Sequence, residues 1–176
     1  MNDLQTLRYP IGPMPRLAHR LDAAAREEHI EVIEEAPARF ESLVTGLTDV
    51  ELDLPYRPGG WTIRQVIHHV PDSHMNAYIR MKLAATEAAP AIKTYDQARW
   101  AELPEAKSGP VQMSLALLDA LHRRWAAFLR ALPEEQLLKS FVHPEWGEVT
   151  IEEALVMYSW HCRHHAAHIA NALQKT

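Results

Sequence analysis

The segment from residue 151 to residue 174 constrains the fold most, because it is apolar on nearly every side when it is drawn as a helix. Thr150, followed three residues later by Glu153, forms a capping box, which is a common start of a helix. A helix that is apolar all round is usually buried. The segment therefore predicts a buried last helix whose polar side chains point into a helical assembly.

Four histidines fall within eight residues of this predicted helix: His161, His164, His165 and His168. At about 100° per residue, His161, His164 and His168 lie within about 60° of one another, and His165 lies about 40° from His161. The pairs His164/His168 and His161/His165 both have the i, i+4 spacing that lets two imidazoles reach one metal ion. The spacing alone leaves these two pairs equivalent.

Three further stretches carry apolar residues at helical spacing, over residues 21–47, 62–88 and 113–132. We expect Pro37 to bend or break the first of them and Pro71 to kink the second, because proline lacks the N–H that a helix needs. Residues 140–149 favour a short hairpin-like excursion before the last helix.

Four long helices without a convincing set of strands predict an all-α four-helix bundle. At 176 residues, the chain is expected to form a single domain over 1–176. The connections between the helices are long, notably over 89–109. Residues 1–19 contain three prolines and Gly12, which predicts an irregular arm laid on the surface.

A second histidine cluster, His68, His69 and His74, lies on the second predicted helix. Its apolar face is centred near Ile63 and Val70. His68 points almost opposite to that face and is expected to meet solvent, whereas His69 lies at its edge and His74 near its centre. Helical geometry therefore leaves His69 and His74 as inward candidates.

One histidine from the second helix and two from the last would give a three-imidazole metal site. Three protein ligands with an open position are typical of catalytic zinc, whereas structural zinc normally has four. Imidazole ligands favour Zn, Ni, Fe or Cu over Mg or Ca. Cys162 lies about 100° from His161 around the helix, so we interpret it as a small buried residue rather than a ligand.

Composition argues against several classes of partner. The net charge of −5 and the pI near 6.1 give no basic footprint for nucleic acid. No stretch approaches the roughly 20 apolar residues of a membrane helix. With a single cysteine, an internal disulfide is impossible. We expect a cytoplasmic protein that acts on a small molecule, without nucleic-acid or membrane partners.

Several motifs together resemble a known family. They are Tyr9-Pro10-Ile11-Gly12, the stretch 55–69 with its Gly59-Gly60-Trp61-Thr62 core, the stretch 72–76, and the histidine run of 160–169. These residues are similar to the YfiT-type proteins of the DinB-like metalloprotein superfamily, and the likeness spans almost the whole chain.

The resemblance implies a four-helix bundle of unusual helix order, with one divalent metal ion per subunit, zinc or nickel. By motif position it implies His69, His164 and His168 as the metal ligands. It also implies a cytoplasmic homodimer. Pro71 departs from the family pattern two residues after His69, and a kink that rotated His69 outward would distort the site.

For activity, the resemblance implies a metal-dependent hydrolase that uses metal-activated water. The alternative is a metal-dependent S-transferase that activates a low-molecular-weight thiol of the bacillithiol or mycothiol type. A second alternative is a non-catalytic bundle with a structural metal. The group that performs the chemistry would be metal-bound water or a thiolate, and no further catalytic residue is predicted.

Overall fold

The computed structural model describes residues 4–174, and its framework is helical. In chain order the helices are α1 (Leu4–Arg8), α2 (Ala23–Val44), α3 (Asp49–Leu52), α4 (Ile63–Thr86), α5 (Gln97–Ala101), α6 (Pro104–Ser108), α7 (Val111–Ala131) and α8 (Ile151–Leu173). A 3-10 turn (Glu134–Leu138) and the strands β1 (Ser140–His143) and β2 (Gly147–Thr150) join α7 to α8. The long helices α2, α4, α7 and α8 confirm the predicted four-helix bundle.

The bundle has an order that differs from a simple up-and-down arrangement. Helix α2 packs against α7 and α8, and α4 packs against the same two helices. Helices α2 and α4 are therefore diagonal to each other, although they are consecutive among the long helices of the chain. The long connections permit this order, and it places α4 directly beside α8, so the two histidine clusters can face each other.

One apolar core lies between the four helices, and Trp125 on α7 is its largest fully buried side chain. The indole Nε1 of Trp125 donates a hydrogen bond to Sδ of Met81 on α4, at 3.1 Å. Phe40 on α2 and Leu155 on α8 are also fully buried. Every long helix thus contributes apolar surface to the same core, which is the main favourable term in folding.

Helices α2 and α4 run through their prolines without interruption. The expectation that Pro37 could break its helix is therefore wrong. Both Pro37 and Pro71 are buried, and the packing of each helix against its neighbours outweighs the hydrogen bond that a proline removes. The capping box of Thr62 and Gln65 starts α4 as predicted. His69 consequently keeps its helical register ahead of Pro71.

The hairpin and the last helix match the sequence prediction closely. Strands β1 and β2 pair antiparallel, with Ser140 opposite Thr150, and Gly147 adopts a φ of +77° where the chain turns. Thr150 ends β2 and also caps α8, with both hydrogen bonds of its capping box to Glu153 present. The hairpin therefore sets the direction in which α8 enters the bundle.

The N-terminal arm is only partly irregular. Residues 4–8 form α1, which packs against α8, while residues 1–3 lie outside the described part of the chain. Two residues after the arm, the chain is fixed where the amide N–H of Leu21 donates to Oε1 of the buried Glu152, at 3.1 Å. The long connection 89–109 contains the short helices α5 and α6. Within residues 4–174, every helix is too short or too polar to cross a membrane.

Candidate metal centre

Three imidazoles from two helices converge at the α4–α8 contact. One ring nitrogen from each of His69, His161 and His165 lies within 4.8 Å of the other two. The centroid of the His69 ring is 5.5 Å from that of His161 and 5.0 Å from that of His165. His69 and His165 are buried, and His161 is half-buried. Of the two pairs that spacing alone left equivalent, the structure therefore brings His161/His165 together with His69.

The residues His164 and His168, implied by the family resemblance, lie beside this group instead. His168 stacks on Tyr56 with centroids 4.0 Å apart, and His164 stacks on Trp160 at 4.2 Å. Of the three implied ligands, the structure keeps only His69 in the converging group. The physical reason is the rotation of α8: His161 and His165 face α4, while His164 and His168 face the arm and the segment before α4.

A chain of hydrogen bonds holds the Nδ1 side of the His161 ring. Its Nδ1 lies 2.8 Å from Nε2 of His74, and Nδ1 of His74 lies 2.7 Å from Nε2 of His122. Nδ1 of His122 is hydrogen-bonded to the backbone carbonyl of Ile33 on α2. The chain thus runs from the converging imidazoles through α4 and α7 to a fixed backbone group.

The tautomer of each imidazole in this hydrogen-bond chain follows from the carbonyl of Ile33 at its end. Burial lowers the pKa of His122 to about 4 and lowers the pKa values of His74 and His161 well below their ordinary value, so each ring is neutral and carries one proton. The carbonyl of Ile33 can only accept, so Nδ1 of His122 donates. Each preceding ring must then also donate through Nδ1. His161 is left with the Nε2 lone pair, which can bind a metal ion.

His165 is held in the same way from the other side. Its Nδ1 lies 3.4 Å from Nδ1 of His168, and Nε2 of His168 lies 3.2 Å from the backbone carbonyl of Arg8. Since that carbonyl can only accept, Nε2 of His168 donates, and Nδ1 of His168 accepts from His165. His165 also presents its Nε2 lone pair. His168 therefore orients one of the converging imidazoles through the arm.

The electrostatics of the cluster favour neutral rings. Burial lowers the pKa of His69 to about 4, and it lowers the pKa of His165 well below its ordinary value, with the neighbouring imidazoles adding to the shift. Burial and His168 lower the pKa of His164 to about 3. A cation that brought its own positive charge would therefore meet lone pairs rather than protons near neutral pH.

These three residues fit a divalent metal ion. Imidazole nitrogens that share one zinc ion bind it at about 2.0–2.1 Å each and so lie roughly 3 to 4 Å apart. The nitrogens of His69, His161 and His165 all lie within 4.8 Å of one another, which is near enough to share one ion. Two of the three rings use their other nitrogen for a hydrogen bond that fixes the tautomer, which is the usual support of a metal-binding histidine.

A cavity of about 440 Å³ gives access to the cluster. Its lining is aromatic and cationic, with Tyr56, Trp61 and Trp160 beside Arg8 and Arg57. No Asp or Glu side chain of the described residues lines it. The cavity therefore combines apolar walls with positive charge around the three imidazoles.

The segment before α4 closes one side of the cavity and requires glycine at position 60. A Cβ atom there would lie 2.7 Å from Cγ of Arg57 and 3.1 Å from Cε1 of Tyr56. Only glycine lets the chain fold this tightly. The turn places the ring of Tyr56 on His168 and the ring of Trp61 against His69, with centroids 4.6 Å apart.

His68 is buried, so the expectation that it meets solvent is wrong. Its Nδ1 lies 2.8 Å from Oγ of Ser114, and its Nε2 lies 3.2 Å from the carbonyl of Gly109. The start of α7 and the turn before it cover this face of α4, which helical periodicity alone cannot show. Both nitrogens of His68 serve structure, and it lies outside the converging group.

A second close group contains His74, His122 and the thiol of Cys162. Both ring nitrogens of His74 and of His122 are already hydrogen-bonded in the chain that holds His161. Burial raises the pKa of Cys162 to about 12, so the thiol stays protonated. This group therefore supports the neighbouring centre, and Cys162 is the small buried residue that its helical position predicted.

A family profile described as the DinB superfamily matches residues 33–169, which include all the imidazoles of the cluster. The chain belongs to the DinB superfamily. Its match to curated members is nearly full-length: it is 49% identical over 165 residues to "Putative metal-dependent hydrolase YfiT" of Bacillus subtilis (strain 168), covering 93% of this chain and 92% of that protein.

A second curated relative and two solved structures also match this chain. "Putative metal-dependent hydrolase BCB4264_A2719" of Bacillus cereus (strain B4264) is 49% identical over 175 residues, covering 97% of this chain and 96% of that protein. A solved structure of YfiT from B. subtilis, described as a probable metal-dependent hydrolase with an unusual four-helix bundle topology, matches with a TM-score of 0.94 and 46% identity over 97% of both chains. The four-helix bundle protein TT2238 matches at 22% identity with a TM-score of 0.56, covering 86% of this chain and 99% of that chain.

Sequence reasoning missed several groups that complete this DinB site. The backbone carbonyl of Arg8 holds His168, and Tyr56 covers it, although both lie in or next to motifs that carried the family resemblance. His122 was also missed. It lies four residues after Leu118 and three before Trp125, on the core face of α7, and that spacing was the signal that could have found it.

Proposed function

We propose that this protein is a metal-dependent hydrolase whose divalent ion is held by His69, His161 and His165. The convergence of these three neutral imidazoles beside a cavity is the observation that carries the proposal. The names of the DinB relatives, which call them metal-dependent hydrolases, support the same class of activity. Zinc and nickel are the ions that an all-imidazole set suits well.

When bound, such an ion would polarise a carbonyl and would lower the pKa of a water or thiol beside it. The chain's own residues have three tasks around it. His74 and His122 fix the tautomer of His161, and His168 fixes that of His165. Tyr56 and Trp61 shield the imidazoles from bulk water.

Three protein ligands favour a catalytic ion over a structural one. Structural zinc normally has four protein ligands, whereas catalytic zinc has three and keeps one position for water or substrate. Among the described residues, the converging group contains three side chains and adjoins a cavity. A non-catalytic structural ion would need a fourth ligand, which this group does not supply.

The cavity also supports a second candidate, metal-dependent S-transfer from a low-molecular-weight thiol. A bound ion would lower the pKa of water from about 15.7 to about 7. Hydrolases commonly add a carboxylate base, but no Asp or Glu in the described chain lines this cavity. A thiol starts from a pKa of about 8.5, so coordination alone would ionise it without such a base. The cationic side chains of Arg8 and Arg57 would favour the anionic form.

Turnover with and without a thiol distinguishes the two candidates. In one assay, the metal-loaded protein is given p-nitrophenyl acetate alone. In the other, it is given cysteine with 1-chloro-2,4-dinitrobenzene, from which chloride leaves as the S–C bond forms, while the thiol proton passes to the buffer. A hydrolase releases nitrophenol without thiol. The variant His161→Ala should lose this activity. The control variant His19→Ala, which replaces an exposed histidine, should retain it.

Turnover that occurs only when the thiol is supplied would reject the hydrolase and establish S-transfer. Equal activity in the wild type and in His161→Ala would reject both, because neither reaction would then use the histidine cluster. A homodimer with one ion per subunit remains a prediction of the family resemblance, and the mass of the native particle in solution tests it.

A further inference from the structure

A second cavity, of about 630 Å³, adjoins the one that opens on the imidazoles. Both cavities are lined by Gln97, Ala98, Trp160 and His161. Because His161 belongs to both walls, a small molecule that reached the cluster could extend into the second cavity. The side chains that line the second cavity therefore help to select the molecules that bind at the histidine cluster.

The second cavity contains a buried positive charge without a negative partner. Arg80 on α4 is 9% exposed, and its Nη2 donates to the backbone carbonyl of Lys93 at 2.9 Å. Within residues 4–174, no carboxylate lies within 4.0 Å of its guanidinium. By contrast, the buried Arg64 is paired with Asp49 at 2.7 Å and with Asp53 at 2.8 Å.

An unpaired buried guanidinium is costly, and arginine cannot relieve the cost by losing its proton. Nearby hydroxyl groups do not supply the missing charge. Burial raises the pKa of Tyr95 to about 12 and also raises the pKa of Tyr158, so both stay protonated. Ser73 is hydrogen-bonded to both tyrosines, and Arg80 to Tyr158, so the guanidinium lies among neutral hydroxyl groups that leave its charge uncompensated.

Two carboxylates also line this cavity, but neither pairs with Arg80. Asp96 and Glu145 are exposed side chains. Asp96 accepts the amide N–H of Arg99 at the start of α5, at 3.0 Å. Because they are exposed, their charges are screened by water, whereas the charge of Arg80 is buried. The buried part of the cavity is therefore positive.

We propose that Arg80 binds a carboxylate group of the substrate or thiol cosubstrate, while the reacting end of that molecule lies at the histidine cluster. The planar guanidinium matches a carboxylate through two parallel hydrogen bonds. The inference deepens the proposed function and rests on it for the position of the reacting end. The ligand class is a small organic acid whose carboxylate is remote from its reacting carbonyl or thiol.

Binding of glutarate to the metal-loaded full-length protein tests this assignment. In the wild type, glutarate should shift the Nε–Hε NMR signal of Arg80 saturably, and the neutral diamide glutaramide should not. Arg80→Met should weaken glutarate binding at least tenfold, and Arg80→Lys should weaken it less. Arg123→Met removes an exposed arginine as the matched control and should bind glutarate as the wild type does.

Three results would overturn the proposal. An Arg80 signal that stays unmoved at saturating glutarate would show that the carboxylate binds elsewhere, and this reading needs no variant to fold. Unchanged affinity in Arg80→Met would place the carboxylate at the metal. A response to inorganic phosphate alone would assign the site to a free oxyanion. None of these measurements requires turnover, so they stand apart from failure of the activity test.

Discussion

Nε2 of His74 lies 2.8 Å from Nδ1 of His161, and this contact fixes which nitrogen His161 can offer to an ion. The contact belongs to a chain that ends on the carbonyl of Ile33, and that end determines every proton position along it. In the proposed metal site, His122 on α7 therefore orients a ligand without touching the ion.

Replacing His122 with leucine should disturb this chain from a distance. We expect His161 in the variant to populate both tautomers, metal affinity to fall roughly tenfold, and the free energy of unfolding to fall by about 2 kcal/mol because buried polar groups lose their partner. Long-range ¹H–¹⁵N NMR of the imidazoles measures the tautomer directly.

The matched control is His29→Leu, which removes a hydrogen bond of 2.7 Å from Oγ of Ser159 on α8 outside the chain. It should lower stability while leaving the tautomer of His161 unchanged. A single Nδ1–H tautomer of His161 in His122→Leu would show that the chain does not set the proton position.

Much of the bundle could be predicted from local signals. The capping boxes at Thr62 and Thr150 each depend on four consecutive residues, and they start α4 and α8 where predicted. Pro37 misled the prediction, since local chemistry penalises a proline inside a helix while packing from other helices decides the outcome. The sequence pattern contains the first effect and not the second.

The candidate site shows the same division. Periodicity placed His69 and His74 inward, and both are buried. The choice between His161/His165 and His164/His168 depends on how α8 is rotated relative to α4, which is a relationship between helices that no spacing within one helix encodes. Family resemblance favoured the second pair, and the convergence of ring nitrogens favours the first.

The adjacent residues His68 and His69 should behave as opposites. His68→Ala should lower the free energy of unfolding by roughly 1–3 kcal/mol, because Ser114 and Gly109 lose a buried partner, and should leave metal binding intact. His69→Ala should remove metal binding. Denaturant titration and metal analysis of the two variants check this. Loss of metal in His68→Ala with a normal fold would contradict the assignment.

Asp72 should make stability depend on pH. Burial, with the charge of Glu105 adding to it, raises the pKa of Asp72 to about 6. Because the folded pKa exceeds the unfolded one, the protonated group favours folding at low pH, and this contribution is lost as the pH rises through 6. Asp72→Asn should therefore stabilise the protein at pH 8 by about 1 kcal/mol, after discounting for solvent screening.

The stability gain of Asp72→Asn should vanish near pH 4, where the aspartic acid is itself largely protonated in the folded state. Urea titrations of the two proteins at pH 4, 6 and 8 measure the difference. A gain of the same size at all three values would mean that the ionisation of Asp72 is not its cause.

The most direct test of the central claim is the zinc affinity of five single alanine variants, at positions 69, 161, 164, 165 and 168, measured by competition with a chromophoric chelator. We predict a loss of at least a hundredfold in affinity for His69→Ala, His161→Ala and His165→Ala. We predict a loss of about tenfold for His168→Ala, because His168 orients His165, and little change for His164→Ala. Severe loss in His164→Ala and His168→Ala, with His161→Ala and His165→Ala near the wild type, would contradict the central claim.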